Sequence, residues 1–252
     1  WLYIFPPSSQ VENFSNNDTS AQNALNSKSN SDAVSIPTRE ISKEESRAVA
    51  LGKSERIKID TLRLKGSISL KGAKIDDLKL KDYNFRLNDE SEKVILFSPS
   101  GAPNAYFAQY GWLKEGGNGN GNFPDHSTKW EVKGNRVLSE NNPVSLEWEN
   151  SSGITFRRDI MIDDNYLFSI KQTIENKSGV DIKVSSYGLI ERQGEPVTRG
   201  FLILHEGIVR FVDGIMKEFK YSHVKDFDQS TEVESIKNSG WIGFTDHYWM
   251  TT

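Results

Sequence analysis

Cysteine is absent from this 252-residue chain, which excludes disulfide scaffolds, CxxC redox sites, thiolate zinc sites and cysteine nucleophiles together. A surplus of basic charge is missing too: 31 Lys and Arg stand against 35 Asp and Glu, for a formal net charge of -4. Neutralising phosphates needs a basic surface, so a nucleic-acid partner is not expected, nor is general electrostatic attraction to a membrane. Histidines number four (His126, His205, His223 and His247) and lie far apart, and no GxSxG nucleophile elbow accompanies Asp125-His126. A buried or surface histidine is the default reading, with a triad assembled by the fold left as the open alternative. His205-Glu206 resembles the start of HExxH, but Val209 stands where the second ligand belongs. Ligands at i and i+4 share a face only on a helix, and this segment alternates like a strand. The Gly-rich stretch at 116–122 is followed by Phe123-Pro124 rather than by a helix start, so it reads as a flexible loop and not as a phosphate cradle.

What the chain has is a hydrophobic fraction of 36% with 11% aromatic residues, enough to build a core. From about residue 55 onward the apolar residues recur with period two, as in half-buried strands. Val144, Leu146 and Trp148 alternate with polar neighbours, as do Tyr166, Phe168 and Ile170. Ile57 and Ile59 start another strand, and the phase shift to Leu62 and Leu64 predicts a bulge near Thr61. Further strands are expected at 93–98, 129–134, 154–162, 181–190, 201–211 and 217–224, separated by turn clusters rich in Asn, Asp, Ser and Gly. Many strands, short polar turns and little helical period predict an all-β, antiparallel β-sandwich. The adjacent carboxylates Asp76-Asp77 and Asp163-Asp164 are placed at turns, and Arg157-Arg158 is read as one inward and one outward side chain in structural pairs.

The chain ends look different from this core. WLYIFPP, residues 1–7, is too short to cross a bilayer but fits the outer end of a helix that does, with a random apolar start as the alternative. Residues 8–38 are polar and aperiodic and read as a disordered tether. Residues 39–52 carry mild helical character, leaving a short helix or more linker, so 8–52 as a whole is taken as a largely disordered polar linker ahead of a domain at 53–252. The closing GWIGFTDHYWMTT concentrates Trp241, Phe244, Tyr248 and Trp249. Its first half is expected to pack, while Tyr248 and Trp249, being adjacent, would face opposite ways in a strand and leave at least one outside the core.

Four stretches, KIDTLRLKGSISLKGAKIDDLKLKDYNF (58–85), LFSPSGAPNAYFAQYGWL (96–113), GFLILHEGIVRF (200–211) and the closing aromatic segment, occur in an order and spacing that closely resembles the large periplasmic domain of YidC-type membrane protein insertases of Gram-negative bacteria. The resemblance implies a β-supersandwich similar to galactose mutarotases, held on the periplasmic side of the inner membrane. It further implies a non-catalytic role in inserting and folding inner-membrane proteins. The implied partners are the Sec translocon, its SecD-SecF accessory proteins and nascent membrane proteins. It implies no cofactor, no metal and no catalytic residue, and it makes Trp241, Phe244, Tyr248 and Trp249 a membrane-proximal junction. The rival reading is a carbohydrate-binding or mutarotase-like sandwich. Its nearest acid/base candidates are Glu191, Glu206 and His205, and its sugar-stacking candidates are Trp112, Trp130 and Trp148.

Overall fold

A computed structural model describes residues 45–86, 89–115, 122–194, 196, 205–227 and 231–252. Among them are three sheets, with strands numbered in chain order. The largest runs β11 (Val184–Arg192), β5 (Tyr106–Lys114), β3 (Lys74–Arg86), β2 (Leu64–Ser69), β1 (Arg56–Asp60) and β7 (Val137–Leu138), with β4 (Asp89–Phe97) added to β3. A second sheet orders β10 (Phe168–Asn176), β9 (Ile154–Ile162), β8 (Val144–Glu149) and β6 (Glu131–Lys133). The third orders β13 (Ile215–Lys220), β12 (Gly207–Val212), β14 (Gly240–Thr245) and β15 (Met250–Thr251). Pairing is antiparallel except between β1 and β7, so the expected all-β antiparallel sandwich is what the chain forms.

The first two sheets face each other across one core. Period-two burial supplies it: Ile57 and Ile59 from β1, Leu64 and Ile68 from β2, Leu146 from β8, and Phe156 and Ile160 from β9 are all nearly inaccessible. Each fully buried aliphatic or aromatic side chain of this kind contributes about 1.5–3 kcal/mol, which is why the alternation fixes strand register. Phe244 and Trp249 pack against the same core, so the third sheet joins the sandwich rather than standing apart.

Several local expectations need correction. No bulge lies at Thr61; β1 turns there into β2, with the Thr61 hydroxyl accepting from Leu64 N at 2.8 Å and Leu62 exposed at the tip. The bulge falls instead where Ser67 pairs Asp77 and Ile68 pairs Ile75, leaving Asp76 as the extra residue. Asp76-Asp77 therefore sits inside β3, not at a turn, and each carboxylate takes its own arginine: Asp76 pairs Arg56, and Asp77 pairs Arg47. Tyr166 is a turn residue at φ 75 preceding β10, not part of it. Of the strand expected at 201–211, residues 201–204 lie outside the described residues and the strand begins at Gly207.

A short α-helix, α1 (Arg47–Gly52), falls within the stretch expected as linker. The Ser46 hydroxyl caps it, Ala50 is buried, Glu45 N donates to Gly101 O at 3.0 Å and Arg47 reaches Asp77. Residues 1–44, with the WLYIFPP segment and the tether, lie outside the described residues, as does most of the Gly-rich loop. Among the described residues no helix is long and apolar enough to cross a membrane.

Candidate functional site

The aromatic residues at the end of the chain are placed by β14 and β15. Alternation in β14 puts Phe244 on the face toward the core, where it meets Tyr106 edge-on at 5.7 Å and stacks on Tyr221 at 6.2 Å. Trp241, on the opposite face, is half-buried and stacks on Phe211 of β12 at 6.1 Å; Met216 of β13 is Phe211's partner on the other side, so the three form one cross-strand row. A side chain at Gly243 would run into the Thr251 carbonyl, which is how β15 comes to lie so close. The Asp246–Trp249 turn that follows leaves Tyr248 72% exposed, at φ 85. Trp249 returns to the core margin and meets Tyr83 of β3 at 4.7 Å. The expectation of a packed first half holds for Phe244, Trp241 is only half-covered, and of the adjacent pair it is Tyr248 that lies outside.

Behind this sheet is a polar joint that the sequence did not reveal. Arg192 of β11 donates to Asp246 Oδ2 at 2.5 Å and to the Tyr221 hydroxyl at 3.1 Å, while Tyr221 donates to Asp246 Oδ1 at 3.0 Å. The guanidinium also lies over the rings of Tyr106 and Tyr221, and the Tyr106 hydroxyl is hydrogen-bonded to Thr251. Burial pushes both phenols far above their ordinary value, so they stay protonated and serve as neutral hydrogen-bonding groups. Residues from β5, β11, the 3-10 helix at Tyr221–Asp226, the Asp246–Trp249 turn and β15 thus meet in one cluster whose work is to join the large sheet to the third.

Of the acid/base candidates, Glu191 and His205 make separate contacts, each with a near neighbour in its own segment. Glu191 accepts from Gln193 at 2.9 Å, and His205 Nε2 lies 3.2 Å from its near neighbour Ile208 O. No group of three or more His, Cys, Asp or Glu side chains placed to hold a metal occurs among the described residues. Of the three tryptophans considered for sugar stacking, Trp130 is 1% exposed, Trp112 is 6% exposed with one edge at a groove described below, and Trp148 is half-buried, tilted on Phe156 at 5.7 Å. Arg157 makes the expected pair, with Asp159 at 2.9 Å, but Arg158 corrects its half of the expectation. It shares the inner phase of β9 with Phe156 and Ile160, is 1% exposed, and bonds to carbonyl oxygens instead of a carboxylate.

Together these features define an all-β sandwich domain in which Arg158 bridges the first two sheets and the Arg192, Tyr221 and Asp246 cluster ties the large sheet to the third. The chain belongs to the YidC periplasmic domain family, whose profile matches residues 56–252. Its relatives include proteins named membrane protein insertase YidC from Cereibacter sphaeroides strain ATCC 17029, 40% identical over all of this chain and 40% of the relative. The protein of the same name from Ruegeria pomeroyi is 38% identical over all of this chain and 43% of its own length, and the one from Jannaschia sp. strain CCS1 is 44% identical over 81% of this chain. The chain spans about two fifths of the length of the first of these relatives. The family places this domain on the periplasmic side of the bacterial inner membrane.

Proposed function

We propose that the domain is a non-catalytic, accessory part of a membrane protein insertase, acting as a scaffold for Sec translocon components, SecD-SecF among them, and as a chaperone surface for nascent inner-membrane proteins. The observation that carries this reading is the family match over 56–252 together with relatives named as insertases along the whole chain. In the same reading residues 1–7 end a transmembrane helix, 8–52 link it to the domain, and Trp241, Phe244, Tyr248 and Trp249 form the membrane-proximal junction. Partly exposed Trp and Tyr rings are the side chains that settle at a membrane–water margin, which suits that assignment.

The test is site-specific photo-crosslinking in a full-length insertase carrying this domain, with the photoreactive residue at Met216, Glu218 or Tyr248 in turn. Adducts to Sec components from at least one position are expected. Their absence at every position on this sheet, with the insertase active, overturns the scaffold role for it. Mutarotation of galactose or glucose by the domain, followed by polarimetry and abolished by Glu206→Gln or His205→Ala, would overturn the non-catalytic assignment.

A further inference from the structure

The sandwich is open along one side. β10 ends the second sheet and β11 ends the large one, so the inward-facing residues of these two edge strands meet across a seam that no further strand covers among the described residues. An open groove of about 480 Å3 lies there, lined by Ile170, Gln172 and Ile174 of β10, Val184 and Ser186 of β11, and Trp112 of β5. Its size is that of a small-molecule site; four of its lining side chains are apolar, Gln172 and Ser186 bring an amide and a hydroxyl, and more of its accessible surface is polar than apolar.

Behind the groove sits Arg158. Its guanidinium lies over Trp112 at 5.6 Å and over Trp130 at 4.9 Å. It donates to Ala73 O at 3.2 Å, to Tyr110 O at 2.6 Å and to Gln172 Oε1 at 3.2 Å, while its Nε has no partner. No carboxylate of the described residues pairs with it, whereas the half-buried Arg56 and Arg192 each hold one and the buried Arg210 holds two, Glu232 and Glu234. A cation removed from water without a counter-charge is costly, and neutral carbonyls and ring faces compensate it incompletely. What separates it from the groove is Gln172, whose amide spans the seam by also donating to Gly111 O at 3.3 Å.

We infer that this groove is a binding site for a small monocarboxylate with an apolar body, whose carboxylate displaces the Gln172 amide to pair with Arg158 while its body lies between Ile170, Ile174, Val184 and the Trp112 ring. One cation calls for one negative charge; a phosphate dianion would bring an excess. A carboxylate in place of the amide adds charge to the acceptor as well as the donor, and its two oxygens can meet the guanidinium side by side. Burial lowers the Arg158 pKa to about 10, which leaves it cationic at neutral pH.

The experiment is titration of the 252-residue chain with 3-phenylpropionate, its neutral amide and 3-phenylpropylamine, followed by tryptophan indole N–H shifts. The carboxylate is expected to bind at least about tenfold more tightly than either analogue, a difference of about 1.4 kcal/mol. Gln172→Glu supplies Arg158 with an internal anion, and should raise Tm while abolishing carboxylate binding. Val184→Trp fills the groove, and should abolish binding without touching the arginine. Equal affinity for acid and amide, no carboxylate shift at about 10 mM, well into the weak range, or undiminished carboxylate binding by Val184→Trp overturns the inference.

Discussion

Cutting the joint between the large sheet and the third should cost more than a surface ion pair and less than a fully buried one. In the pair at its centre, the Arg192 side chain is 13% and the Asp246 side chain 25% exposed. Asp246→Ala removes the partner at 2.5 Å and the acceptor of Tyr221, leaving the guanidinium facing one hydroxyl and two rings. Stranding a buried charge costs about 3–5 kcal/mol and losing an exposed pair below about 1 kcal/mol. Residual solvation of Asp246 and the two ring faces moderate the former, so about 2–3 kcal/mol is expected. Arg192→Met removes the cation as well, so the double variant should be less destabilised than the sum of the singles by about 1–2 kcal/mol. Urea denaturation followed by circular dichroism on the four proteins of the cycle measures this. A loss below about 0.5 kcal/mol for Asp246→Ala, or strict additivity in the cycle, would refute the idea that this cluster holds the third sheet to the sandwich.

Phe244→Ala empties a site between two aromatic rings and should cost about 2–4 kcal/mol, while Trp241→Ala, covered on one face, should cost about 1–2 kcal/mol; urea midpoints showing the reverse order would sink the facing assigned to β14. Asp213 accepts backbone hydrogen bonds from Lys237, Asn238 and Ser239, which hold its carboxyl below the usual value. Being depressed in the folded state, it contributes stability above the unfolded value of about 4 that is lost as pH falls through the folded value. Protection of those three amides, relative to their intrinsic exchange rates at each pH, should therefore fall in acid, and Asp213→Asn should flatten that dependence. Gly66→Ala would drive a methyl group to 1.9 Å from Asp77 O, so Tm should fall sharply; an unchanged Tm would mean that β2 and β3 do not approach as described.

Legibility from sequence followed exposure. β8 and β9 bury every second residue and were read correctly, because one face meets the core and the other meets water. β5 was missed as a strand: Tyr106 to Gln109 are all buried, so both faces are covered and the period vanishes. β3 was missed for another reason, since the bulge at Asp76 breaks the phase between Ile75 and Leu78. The Arg192, Tyr221 and Asp246 cluster spans 54 positions along the chain, and no spacing rule connects residues brought together by three different elements. Arg158 stood in plain view within an alternating strand, and the signal was there: it keeps the phase of Phe156 and Ile160, which commits an arginine to the inner face.

The 13-residue strand β3 is the anchor for both ends of the described domain. Asp77 holds Arg47 of the leading helix, and six residues further on Tyr83 holds Trp249 next to the closing strand. At about 3.3 Å per residue these two attachments lie on the order of 20 Å apart along one strand. Tension applied between the leading helix and the closing turn through these contacts would therefore run along the covalent backbone of β3, and the links that yield first would be the ion pair at one end and the ring contact at the other. One strand thereby sets the spacing between the two ends, and two side-chain contacts decide how firmly they keep it.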